Sequence, residues 1–120
     1  MQFHPSKILE LNKLNEVNAK SGKNILHYAA INNDINLLRI GLANNVDASR
    51  LDNQSRTSLY YALQLQRWEL VSELMKRHAQ LKADISEVRI YVNEAKGGNR
   101  KEIEEYLSKD NTMTNKLGLN

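Results

Sequence analysis

The chain has 120 residues and 13.8 kDa, room for one domain with a modest core, and its lack of cysteine excludes disulfides, thiolate metal sites and a thiol nucleophile. Lys and Arg number 17 against 14 Asp and Glu, a net charge of +3, but the charges are interspersed and no polybasic run marks a nucleic-acid face. No apolar stretch approaches the roughly 20 residues a membrane span needs, and Glu10 and Lys13 interrupt the segment where a secretory leader would carry its apolar region.

Pro5-Ser6 starts a first predicted helix, whose Ile8, Leu9, Leu11 and Leu14 can cover whatever follows. From Gly22 onward the chain repeats. Slid on itself by 33 residues, Leu26 lands on Leu59 and Leu59 on Val92. Ala29, Ala62 and Ala95 coincide, as do Leu37, Leu70 and Ile103, and Gly41, Leu74 and Leu107. A period of this length marks stacked units that bury a continuous core between neighbours. Each copy reads as two short helices. In the second copy Thr57 is placed to cap the first helix, on which Leu59, Ala62 and Leu63 share a face by i, i+3, i+4 spacing. The second helix is expected over Glu69 to Arg77, with Leu70, Val71, Leu74 and Met75 as its apolar stripe. Asn45 and His78 occupy the slot just past it, where the chain turns through a left-handed conformation. Gly97-Gly98 falls between the two helices of the third copy; it lacks the phosphate-loop pattern. Neither connection between units shows the period-2 apolar run of a strand.

Residues 22–110 resemble ankyrin repeats. Gly22-Lys23-Asn24-Ile25-Leu26-His27-Tyr28-Ala29-Ala30 matches the family's opening apart from its Thr-Pro pair, and Glu69-Leu70-Val71-Ser72-Glu73-Leu74-Met75 matches its second helix. The resemblance implies an all-α, helical-hairpin solenoid. Its expected organisation is one domain over 1–110, comprising an N-terminal cap (1–21), repeat one (22–54), repeat two (55–87) and a degenerate repeat three (88–110), followed by a flexible tail (111–120). Polar Lys96 and Glu104 stand where inner copies hold apolar residues, as suits a terminal unit.

Candidate chemistry is sparse. His4, His27 and His78 lack zinc spacing, and no metal site, cofactor or catalytic residue is expected. The resemblance implies that His27 ties adjacent connections together by hydrogen bonds. Glu102, Glu104 and Glu105 alternate with Lys101 and Lys109 as a solvated face, and Trp68 is expected at the core edge. Lys23, Arg56 and Arg89 share one slot, just before the first helix, and would form a basic column facing an acidic partner.

The resemblance implies that a protein partner touches the connection tips and the inner face of the first helices. Mapped by slot, those residues are Lys23, Tyr28, Ile31, Asn32, Leu51, Asn53, Gln54, Arg56, Tyr61, Gln64, Leu65 and Arg89, with Asp84 and Glu87 nearby. Ile31, Leu51 and Leu65 are apolar in slots that should be exposed. The expected protein is a cytoplasmic binding module without catalysis, a monomer when unbound, that engages one protein partner and neither nucleic acid nor membrane. A chain this short, beginning at Met1, suits an inhibitor or immunity-type protein that occludes a toxin or enzyme. The competing expectation is an adaptor or secreted bacterial effector domain engaging a host protein.

Overall fold

The computed structural model describes residues 14–109. The predicted capping helix at Pro5 to Leu14 lies almost wholly outside them, as does the tail. Six helices follow in order: α1 (Ile25–Asn32), α2 (Ile35–Ala43), α3 (Ser58–Gln64), α4 (Trp68–Lys76), α5 (Ile85–Val92) and α6 (Gly97–Lys109). The described residues contain no strand.

Four of the helix starts are capped by side chains. The Asn24 side chain accepts from the N–H groups of Leu26 and His27, and the His27 ring accepts in return from the Asn24 N–H. Asp34, Thr57 and Asp84 cap α2, α3 and α5 by accepting from Leu37, Tyr60 and Ser86. α4 has no such cap. The residue before it, Arg67, reaches back to the carbonyls of Ala30 (3.2 Å) and Ile31 (2.8 Å) in the last turn of α1, the first of which also accepts from the Asn33 N–H. Arg77, just past α4, likewise donates to the Leu42 carbonyl near the end of α2, at 3.3 Å.

The helices form two layers. α1, α3 and α5 lie side by side in one; α2, α4 and α6 back them. α1 packs along α3 more extensively than α2 along α4, which makes the first layer the more closely packed, inner one. Leu26, Leu59, Leu63, Leu70 and Leu74 are fully buried between the layers, and Ala29 and Ala62 let the inner helices approach. Gly41 does the same across layers: a Cβ there would come within 2.7 Å of Leu26 and 2.9 Å of Ile25.

The backbone keeps the 33-residue period through the first two units. Left-handed residues recur in pairs one period apart: Gly22 and Ser55, Asn33 and Gln66, Asn45 and His78. The third unit breaks it. α1 and α3 begin at residues 25 and 58, but α5 begins at 85, six residues before the period would place it. Val92 is therefore the last residue of α5, not an equivalent of Leu59 near the start of a helix. The i, i+3, i+4 set Leu59, Ala62, Leu63 is matched instead by Val88, Tyr91, Val92. The longer α6 then restores the register, so that Ile103 and Leu107 are buried one period after Leu70 and Leu74.

Ser58, the first residue of α3, is 1% exposed and its hydroxyl has no hydrogen-bond partner. Thr57 before it is extended, with φ −91 and ψ 171, the conformation that a following proline demands. Proline is preformed for this first helical position and needs no N–H there. Ser58→Pro should therefore stabilise the domain by about 0.5–1 kcal/mol, read as a higher urea midpoint at unchanged slope. A lower midpoint would show that the ring does not fit.

Candidate functional site

The connection between α2 and α3 folds back on the first unit through a set of buried polar groups. Asp52 is its centre, 5% exposed. One carboxylate oxygen lies 3.0 Å from the Lys23 ammonium and accepts from the Tyr61 hydroxyl at 2.5 Å. The other accepts from the N–H groups of Gln54 (2.9 Å) and Arg56 (3.0 Å). Burial alone would raise the Asp52 carboxyl. The Tyr61 hydroxyl, the Lys23 ammonium and the two N–H groups outweigh it and hold the carboxyl at about 2, down from 3.8. Burial and the Asp52 charge push Tyr61 up. Lys23 is raised because the bonds to Asp52 and Tyr61 overcome its own desolvation.

His27 makes the joint that the resemblance implies. Its Nδ1 accepts from the Asn24 N–H at 3.0 Å, which leaves Nε2 to donate to the Arg56 carbonyl at 2.9 Å. Burial lowers its pKa in spite of that carbonyl. Asn24 bonds the Asp47 carbonyl, Arg50 the Gly22 carbonyl, and Asn53 both the Lys20 and Ser21 carbonyls. The first two connections thus form one rigid block.

The predicted site residues separate accordingly. Lys23, Gln54, Arg56 and Tyr61 come together around Asp52. Tyr61 is a correction: at 6% exposure, with its hydroxyl bound to Asp52 and close to Gln54, it is a structural residue and offers no surface to a partner. The basic column is a second correction. Lys23 is neutralised by Asp52, and Arg89 lies within α5, out of the slot, and pairs with Glu104 at 3.5 Å. Only Arg56 of the three keeps its charge unpaired among the described residues, with its guanidinium over the Tyr60 ring at 4.8 Å. Ile31 is half-buried against the core, and Tyr28 is half-buried with its hydroxyl near Ser21. Asn32, Asn53 and Gln54 are exposed and Gln64 partly so. Leu51, in the second connection, and Leu65, just past α3, are exposed.

The sequence period concealed the most exposed apolar residue of the face. Ile90 is 66% exposed, although Val88 two residues before it is fully buried. With Val88 matched to Leu59, Ile90 occupies the slot of Tyr61 and Tyr28 on the inner layer. The repeated apolar triad, rather than the 33-residue shift, is the signal that locates it.

A family model for ankyrin repeats (3 copies) matches residues 4–86. The chain belongs to the ankyrin-repeat family. Ankyrin repeats are protein–protein interaction modules, generally without catalysis of their own. The match ends inside α5, where the period fails. No curated protein and no solved structure matches the chain. Among the described residues no helix is long and apolar enough to cross a membrane, and no three His, Asp or Glu gather where they could hold a metal ion.

Proposed function

We propose that this ankyrin domain seats one protein partner on the concave face of its inner layer, and that it acts by covering the partner's working surface, as an inhibitor or immunity-type protein does. The observation that carries the reading is Ile90, an isoleucine 66% exposed on the inner layer of a fold that gains nothing by exposing it. Leu65, just past α3 in the unit before it, and Leu51, in the second connection, are further exposed apolar side chains. The rigid block around Asp52 supports the reading too, because a preformed surface loses little entropy on binding.

Ile90→Glu and Leu65→Glu should each weaken capture of the partner by about 2 kcal/mol or more, chiefly through faster dissociation. The measurement is surface-captured binding of the product of the neighbouring gene. Ile40→Glu is the control, since Ile40 is equally apolar and 43% exposed but lies on α2 in the outer layer. If Ile40→Glu alone abolishes capture, the outer layer is the working surface.

A further inference from the structure

The second and third connections differ in length. Asn44 to Thr57 run between α2 and α3, but only Arg77 to Asp84 between α4 and α5, six residues fewer. The second connection therefore has no equal beside it on its C-terminal side. A step of about 370 Å³ opens there, lined by Gln54, Ser55, Arg56, Lys82, Asp84 and Glu87.

Arg56 is the fixed point of that step. Its N–H is held by Asp52 and its carbonyl by His27, and its guanidinium lies 4.8 Å from the Tyr60 ring centroid and 5.9 Å from that of Tyr61. A guanidinium stacked in this way has lost much of its rotamer freedom before any ligand arrives. Lys82, across the step, forms no ion pair among the described residues either. Lys23, Arg89 and Arg100, by contrast, are engaged by Asp52 and Glu104. Asp84 is turned to its own helix, accepting from the Ser86 N–H at 2.9 Å.

We propose that the step receives a partner loop bearing a single Asp or Glu carboxylate, gripped by Arg56 with Lys82 as the second positive charge; this rests on the reading of the domain as a protein-binding module. The planar fork of Arg56 can hold two oxygens of one anion at once. The charge of the wall selects a carboxylate over a phosphate. Glu87 and Asp84 in the wall repel a dianion, while they accept the N–H groups or a basic side chain flanking a lone carboxylate.

The test titrates the isotope-labelled full chain with three blocked tripeptides, Ala-Glu-Ala, Ala-Gln-Ala and Ala-phosphoserine-Ala, followed by NMR. With the Glu peptide at millimolar concentration, the Arg56 Nε–H and the amides of Ser55 and Ala83 should shift. The Gln peptide should bind at least about tenfold more weakly, and the phosphoserine peptide no tighter than the Glu peptide. Arg56→Gln should remove the response while the remaining spectrum stays folded, and Arg56→Lys should weaken it. Ile90→Glu should leave the titration intact although it is expected to weaken partner capture, so the two proposals fail separately. No shift at Arg56 with the Glu peptide, equal binding of the Gln peptide, tighter binding of the phosphopeptide, or an unchanged response in Arg56→Gln would each overturn the assignment.

Discussion

Leu59→Ala should destabilise the domain by about 2–5 kcal/mol, the range for truncating a buried leucine that its surroundings cannot collapse onto. Leu59 is fully buried on α3, the one inner helix with described neighbours on both sides, so the cavity would open at the centre of the stack. A three-unit array has few interfaces, and each unit is held mainly by its neighbours. The loss is thus expected to appear in the global transition rather than as local fraying. Urea melts of Leu59→Ala and of Leu51→Ala, which removes a side chain 41% exposed, make the comparison. Equal midpoints would show that α3 is not the keystone of the stack.

Asp52→Ala should cost about 3 kcal/mol at neutral pH, because it strands a mostly buried ammonium, a buried phenol and two N–H groups at once. Its signature lies in the pH dependence. The folded-state value of about 2 is below the ordinary 3.8, so the unfolded chain takes up the proton first. Stability from this group is complete above about pH 4 and is lost as pH falls through about 2, a loss of about 2 kcal/mol. Asp52→Ala lacks that loss, so its deficit should narrow as pH falls from 4 to 2. His27, lowered by burial, acts in a different window: the unfolded chain protonates it below about 6.5 while the folded state resists, and stability declines from there downward in both proteins. Denaturant midpoints across pH 2 to 8 would read both. Parallel curves for the two proteins would mean that Asp52 titrates normally and that the network around it is not formed in solution.

Much of the fold is legible in residue types. Thr57 caps α3 and Asn45 turns through the left-handed region, as their chemistry requires; His78 does so too, at φ 60, despite its bulk. What the sequence hid is a pair of compensating changes. The third connection is short and α6 starts early, so Ile103 and Leu107 return to register and the period seems unbroken. Val92 is apolar in both alignments, and identity alone does not separate them. The site was less legible, because side chains with a polar end have two uses. Tyr61 and Lys23 read as surface residues until Asp52, unremarked at the sequence level, is seen to draw both inward. A carboxylate's burial depends on partners far along the chain, and no local pattern announces it.

The shortened third connection also fixes where this molecule can grow. Units one and two present the same left-handed turns at the same spacing, so an additional 33-residue unit inserted between them would meet matching surfaces above and below. After the second unit that equivalence ends, since α5 meets α3 from a connection six residues shorter and through a different set of side chains. Exchange or duplication of units is thereby confined to the first joint, because the last described helix pair has no matching copy in the array.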